Sequence, residues 1–508
     1  MTAPKYYVTT PIYYVNDRPH VGHAYTTLAA DVMARFKRLD GYDVYFLTGT
    51  DEHGQKIQRS AEGKGITPQQ FTDEVSAVFR GLADDFNFSN NDFIRTTEDR
   101  HKRACAELWR RLEAAGHIYL DKYAGWYAVS DEAFYDEAEL KEGPAGTKIA
   151  PTGKPVEWVE EESYFFRLSA FEDRLLALYE SQPDFILPKG RRNEVISFVK
   201  GGLQDLSISR TTFDWGVQVP GNERHVMYVW LDALTNYLTA TGWPDAAPRW
   251  PADLHLVGKD ILRFHAIYWP AFLMGADLPL PSRVFAHGWW TNEGEKISKS
   301  LGNVIDPYEL KETFGLDQTR YFLLREVPFG NDGDFRREAM VTRMNSDLAN
   351  NLGNLAQRSL SMIAKNLDGQ VPTAMLTAED EALIAAAGPA LLDEVRGLLD
   401  MQAFNRALEA VWSVISEANV YIDAQAPWTL KKTDPERMAS VLYTVIETVR
   451  RVTLILQPVM PESSAKLLDL VGQPADKRDF AALEDRLISG TSLPKPEGVF
   501  PRYVEAEA

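Results

Sequence analysis

The sequence predicts an α/β protein, a doubly wound parallel sheet with an inserted connective domain, followed by a C-terminal all-α bundle. Three observations carry that prediction. Short continuous apolar runs, the signature of strands buried on both faces, alternate with helical periodicity over residues 1–116 and again over 218–290. The stretch between them, 117–217, changes texture to aromatic, acidic and Gly/Pro-punctuated. Beyond about residue 340 strand patterns vanish and long apolar-periodic segments follow one another.

An apolar strand is expected over 6–14, then a turn through Asn16, Asp17, Arg18 and Pro19. The helix that follows carries Leu28, Val32, Met33, Phe36 and Leu39 at helical spacing and stops at Gly41. Residues 44–47 form the next buried strand and lead into Thr48-Gly49-Thr50-Asp51-Glu52-His53-Gly54, at a strand C-terminus where nucleotide-binding sheets of the Rossmann type place ligands. A helical stretch over 97–115 follows, and the insertion then includes a loop at 142–155. The sheet resumes with an alternating strand at 224–229, a helix at 230–237, a strand at 254–257, then Gly258-Lys259-Asp260 and another helix. A segment at 291–340 connects to the bundle, 341–508, whose loops fall at 368–372 and 424–427. Asp434-Pro435 reads as a helix start, a capping acceptor followed by Pro in the first turn.

At 508 residues the chain is too long for one core. No apolar run reaches membrane-span length and the N-terminus enters a strand without a basic leader, so the expected location is cytoplasmic. The single cysteine, Cys105, excludes an internal disulfide and any multi-cysteine metal site, and reads as a small buried hydrophobe. A net charge of −19 opposes indiscriminate polyanion binding, so a specific RNA contact needs local basic patches on one face.

Two short phrases carry chemistry. His20-Val21-Gly22-His23 opens a helix, where unpaired backbone N–H groups and the helix dipole favour an anion. His20 and His23 share a face there, and Gly22 admits a close backbone or flat base. Far downstream, Lys296-Ile297-Ser298-Lys299-Ser300 places lysines and serines on a turn after Asn292-Glu293-Gly294, donors able to close over a polyphosphate. Aromatics at helical intervals suggest a second ligand: Ile261, His265 and Trp269 with Phe264 on one helix, and Trp230, Ala233 and Tyr237 on the preceding one. Meeting near Ile12 and Tyr14, they make a narrow apolar slot suited to an unbranched thioether, with Asp51 able to hold an ammonium group. The same stripes could be core packing, but a plain core would have to satisfy His265 and Asp51 elsewhere.

The pairing of the two phrases resembles the signatures of class I aminoacyl-tRNA synthetases. With Thr10-Pro11-Ile12-Tyr13-Tyr14-Val15-Asn16, Gly49-Thr50-Asp51-Glu52-His53-Gly54, Tyr228-Val229-Trp230-Leu231-Asp232-Ala233 and Gly258-Lys259-Asp260, the chain from about residue 5 onward is similar to the methionyl-tRNA synthetase family. The resemblance implies activation of methionine with ATP to methionyl-adenylate and its transfer to the 3′ end of tRNA(Met). It implies methionine contacts from Ile12, Tyr14, Asp51, Trp230, Ala233, Tyr237, Ile261 and His265, and ATP contacts, with Mg²⁺, from His20, Gly22, His23, Gly258, Asp260 and Lys299. Catalytic roles are implied for His20, His23, Lys296 and Lys299, and anticodon contacts for Asn354, Arg358 and Trp428. For Arg358 and Trp428, a surface ion pair and a cap on the bundle core stay open as alternatives.

The family's usual zinc knuckle would fall on Ala128, Asp131, Ile149 and Thr152, two of which carry no ligand atom, so no structural zinc is expected. Packing by Trp126, Tyr127, Phe134 and Tyr135 would hold the knuckle instead. An insert of roughly a hundred residues is too short for the editing domains of the isoleucyl, valyl and leucyl relatives. The family's dimerising C-terminal domain has no counterpart here, so a monomer is expected. A small-acid adenylyltransferase of the same superfamily and a noncatalytic tRNA-binding paralogue are the rival readings.

Overall fold

Ten residues dense in aromatic and β-branched side chains, Lys5–Tyr14, form the first strand, β1, and most of it is buried. In chain order there follow α1 (Val21–Leu39), β2 (Asp43–Asp51), β3 (Asp92–Arg95), α2 (Asp99–Ala114), β4 (Ile118–Ala128), β5 (Glu157–Phe166), β6 (Ile186–Leu187), α3 (Val229–Thr239), β7 (Leu254–Gly258) and β8 (Val284–His287). The computed structural model describes residues 3–15, 18–131, 133–296 and 304–505. The chain divides into two units, one of Lys5–Pro19 and Tyr45–Ala286, the other of Met1–Pro4, His20–Val44 and His287–Ala508.

In the unit containing Tyr45–Ala286, six strands run in the order β3-β2-β1-β7-β8-β6, and the β2/β3, β1/β7 and β8/β6 pairs are parallel. This is the predicted doubly wound sheet. Strand order reverses between β1 and β7, and at such a switch point the crevice opens beyond the strand C-termini. Tyr14, Asp51 and Gly258 stand at three of those ends. The core beneath is built from Leu47, Ile94, Leu108, Trp109, Leu234, Val257, Trp269 and Phe272, among others. In the predicted insertion, β4 and β5 pair antiparallel from Ile118↔Phe166 to Tyr127↔Glu157.

One predicted helix differs. After Gly258 the chain makes a 3₁₀ turn (Lys259–Ile261), a π-helical turn (Phe264–Tyr268) and only then a regular helix (Trp269–Gly275). Pro270 is the physical reason: it has no N–H to return to the carbonyl of Ala266, and that oxygen instead accepts the Tyr179 hydroxyl at 2.6 Å.

The other unit contains α1 together with β9 (Trp290–Asn292), β10 (Glu295–Lys296), α4 (Leu316–Arg325), β11 (Gly333–Phe335), α5 (Asn354–Asn366), α6 (Pro389–Asp400), α7 (Phe404–Gln425), α8 (Pro427–Thr433) and α9 (Pro435–Leu456). Three ion pairs tie α1 into it: Asp31 with the buried Arg320 at 2.6 Å, Lys37 with Asp400 at 2.9 Å, and Asp40 with Arg396 at 2.6 Å. Arg320 also donates to the carbonyls of Pro458 and Val459, so its charge is fully engaged. As predicted, α9 starts at Pro435 with the Asp434 carboxylate accepting from the Arg437 N–H at 3.0 Å. The loop expected at 424–427 shrinks to one residue, because Ala426 in the left-handed region ends α7 and starts α8. Among the described residues no helix is long and apolar enough to cross a membrane.

Candidate active site

Two residues predicted to line the slot, on α3 and on the π-helical turn after β7, meet in the first-described unit. Tyr237 on α3 lies with its hydroxyl 2.6 Å from Nε2 of His265, whose Nδ1 lies 2.9 Å from the carbonyl of Ile261. A carbonyl can only accept, so Nδ1 carries the proton and Nε2 accepts from the tyrosine. Burial pushes the His265 imidazole down to about 4, against the opposing pull of the Ile261 carbonyl and Asp260, so the ring is neutral at physiological pH. Burial likewise pushes the Tyr237 phenol up. The Tyr237–His265 pair is therefore uncharged. Trp230 stacks on Phe264 with ring centroids 3.4 Å apart, and Ala233 is buried beside it on α3. Ile12 packs against the same core, whereas Tyr14 packs on a smaller cluster around Tyr13, Ile57 and Phe79.

Asp51 ends β2 and is buried. Its strand lies close against β3: a Cβ on Gly49 would sit 2.0 Å from the Ile94 carbonyl oxygen, so only glycine fits. The next residue, Glu52, is fully engaged by Thr50 at 2.7 Å, Thr97 at 2.6 Å and Arg95 at 2.7 and 2.9 Å. Gly258 closes β7, and Asp260 follows on the 3₁₀ turn, exposed.

At the start of α1, in the other unit, the local detail differs from the sequence expectation. His20 Nδ1 accepts the Gly22 N–H at 3.0 Å and His23 Nδ1 accepts the His20 N–H at 3.1 Å, a capping box made of two imidazoles. The Val21 N–H goes to the Ile305 carbonyl at 3.1 Å. The first backbone donors are thus spent inside the protein, and it is the rings that this helix start presents. Gly22 is required by that same cap, since a Cβ there would lie 2.8 Å from the His20 ring. The two rings lie 3.9 Å apart. Burial, then repulsion from His20, holds His23 well below the usual histidine range.

The second phrase begins at a hairpin. Strands β9 and β10 pair through Thr291↔Lys296, with Glu293 and Gly294 at positive φ in the two-residue turn. The Lys296 backbone closes β10; the rest of the phrase, including Lys299, lies outside the described residues.

Residues 6–360 match the family described as tRNA synthetases class I (M), and residues 371–508 match the anticodon binding domain of methionyl tRNA ligase. The methionine--tRNA ligases of Brucella suis and Rhizobium meliloti are 58% and 60% identical, each over 100% of this chain and 99% of theirs. The chain belongs to the methionyl-tRNA synthetase family. A Mycobacterium tuberculosis methionyl-tRNA synthetase solved in complex with methionyl-adenylate superposes with a TM-score of 0.95, at 57% identity, over 98% of this chain and 100% of that one. The same enzyme in its free state gives 0.90 at 55% identity, over 99% of both chains.

For a methionyl-tRNA synthetase family member, the residues implied to read the anticodon are placed informatively. Asn354 is exposed at the start of α5. Arg358, one turn on, donates to Asp423 at 2.7 Å and Asn419 at 3.1 Å, the surface ion pair held open above. Trp428 is 48% exposed on α8. At the knuckle positions Ala128 is fully buried, while the Asp131 carboxylate accepts from the Thr152 hydroxyl and from Tyr135 at 2.9 Å. The one carboxylate among the four is thereby engaged, and the set does not fit tetrahedral zinc. Trp126 packs edge-to-face on Trp158 at 5.2 Å and Tyr127 is buried; the Phe134 side chain lies outside the described residues.

Sequence reading passed over Asp232, a fully buried carboxylate within α3 bonded to His53 and His101. Its signal was available, as the sole charge in the otherwise apolar or neutral run Val229–Thr239.

Proposed function

We propose that the chain works as a methionine--tRNA ligase. Methionine is activated with ATP to methionyl-adenylate and pyrophosphate, then transferred to the 3′ end of tRNA(Met). The uncharged slot of Tyr237, His265 and Ile261 carries this reading, because it matches an apolar thioether and rejects charged side chains. Trp230, Ala233 and Ile12 complete its walls, Tyr14 borders it, and Asp51 takes the ammonium group.

ATP is contacted by His20, Gly22, His23, Gly258, Asp260 and Lys299, and is accompanied by Mg²⁺ held mainly through phosphates and water. His23 is kept uncharged, so it serves the phosphates as a hydrogen-bonding group. The positive charge needed as pyrophosphate departs must come from Lys296 and Lys299. Catalysis rests on placing the methionine carboxylate against the α-phosphate and on this charge stabilisation, with no covalent enzyme intermediate. On this reading 1–116 and 218–290 are the catalytic halves, 117–217 the connective insertion, 291–340 the signature-loop and stem-contact region, and 341–508 the anticodon-binding part. The enzyme acts as a cytoplasmic monomer.

Trp428, half-exposed on α8, stacks an unstacked anticodon base, while Asn354 and Arg358 hydrogen-bond base edges. Trp428→Ala is expected to remove about 1–3 kcal/mol of tRNA recognition. The measurement is methionine charging of a transcript with a CAU anticodon beside one with an altered anticodon. Selective loss on the CAU transcript supports the role, and equal losses on both sink it. Absence of charging by the unaltered enzyme would contradict the ligase reading itself.

The knuckle is held by hydrogen bonding and packing in place of zinc. Purified enzyme is expected to contain no stoichiometric zinc and to keep its activity through chelation once Mg²⁺ is restored. One tightly held zinc per chain in elemental analysis would overturn this.

A further inference from the structure

Asp232 sits in the first turn of α3, between Trp230 and Ala233 in sequence. By helical geometry its side chain leaves the opposite side of the helix from Trp230, Ala233 and Tyr237. It is fully buried there, against α2 and against the turn that follows β2. Its two oxygens are divided between two imidazoles: Oδ2 lies 2.6 Å from His53 Nδ1 and Oδ1 lies 2.7 Å from His101 Nε2. An ionised carboxylate only accepts, so both ring nitrogens are N–H donors and both tautomers are set. Burial alone would raise this carboxyl, but the facing His53 and His101 outweigh it and hold it below the usual range. The other face of His101 meets the Thr239 hydroxyl at 3.1 Å, and Cys105 Sγ lies 3.2 Å from its Nε2.

His101, Cys105 and Asp232 are all metal-ligand types with atoms within 4.8 Å of one another. Each is already hydrogen-bonded within the group, and burial followed by the nearby Asp232 charge pushes the thiol far up, which opposes metal binding. The cluster reads as a polar node inside an apolar core. Such a node is costly unless complete, and complete it fixes one arrangement of the parts it joins.

Those parts are the walls of the methionine slot. His53 is two residues beyond Asp51, and Glu52 between them is anchored to Thr97 and Arg95 at the end of β3. The backbone just beyond Asp51 is therefore held twice, through Glu52 and through His53 with Asp232. We propose that Asp232, through His53 and His101, is a positioning residue that sets the first turn of α3, with Trp230 and Ala233, in register against Asp51. The distance between the ammonium-holding carboxylate and the thioether slot is thereby fixed. This inference rests on the methionine contacts assigned under Proposed function.

The test is methionine-dependent pyrophosphate exchange by the full-length enzyme and its Asp232→Asn variant. The carboxamide keeps the volume but offers one acceptor and one donor group where two acceptors are needed, so one imidazole must change tautomer. The expected result is a methionine KM raised at least tenfold, with the ATP KM within twofold and kcat at saturating methionine within threefold. A merely structural role would move all parameters together with the melting temperature. That outcome, or a methionine KM within threefold of the unaltered enzyme, overturns the proposal. If Asp232→Asn fails to fold, His53→Leu, which has no donor, removes one arm only and is expected to raise the methionine KM selectively by a smaller factor; no rise overturns the proposal. Failure of the unaltered enzyme to exchange at all would instead contradict the methionine reading on which this rests.

Discussion

Replacing Lys299 with alanine is expected to slow methionyl-adenylate formation by roughly 10²–10³-fold, the usual cost of removing one preorganised donor from a developing charge. The expectation follows from the start of α1. His20 and His23 cap their own helix, their neighbouring backbone N–H groups are spent within the protein, and His23 is held uncharged by burial and by His20. The helix start therefore supplies hydrogen bonds and little net charge. Pyrophosphate leaves carrying more negative charge than it held in ATP, and the lysines of the Lys-Ile-Ser-Lys-Ser phrase are left to meet it. Methionine affinity measured without ATP should be unchanged, because no lysine of the phrase is assigned to the thioether slot. Rapid-quench measurement of the first turnover checks this, and an unchanged activation rate would remove Lys299 from the mechanism.

Asp51→Asn is expected to raise the methionine KM in pyrophosphate exchange roughly 10²-fold or more, since losing the charged partner of a buried ion pair costs about 2–5 kcal/mol. Asp51 is a buried carboxylate at a strand end, whereas Tyr237 and His265 are neutral and hydrogen-bonded to one another. The slot cannot hold an ammonium group by itself. A methionine analogue lacking the amine should bind the variant and the unaltered enzyme alike. Equal KM values for methionine in the two proteins would show that the ammonium group is held elsewhere.

Much of this was legible from residue order. The parallel sheet followed from short buried runs such as 44–47 and 254–257, and α9 from Asp434-Pro435, because these signals are local. The pairing of Tyr237 with His265 could be anticipated from two aromatic stripes on consecutive segments. Less accessible were details decided by tertiary neighbours. The segment at 259–268 matched a helical period, yet Pro270 and the Tyr179 hydroxyl turn part of it into a π turn. The anion-facing amides expected at His20 are taken by the two imidazoles, a choice that depends on how the rings fold back over Gly22. Asp232 was missed because its partners, His53 and His101, lie 179 and 131 residues away in sequence. The Asp131–Thr152 contact at the knuckle likewise joins residues on separate turns, and the sequence could say only that a zinc set was incomplete.

On the proposed function, Tyr237, His265 and Asp51 select methionine for activation with ATP. Exchange of labelled pyrophosphate into ATP, run with each of the twenty amino acids in turn and without tRNA, tests it most directly. Exchange is expected to depend on methionine and to be near background with leucine, isoleucine and the charged amino acids. Exchange driven by a different amino acid, or no exchange in the presence of methionine, ATP and Mg²⁺, would contradict it.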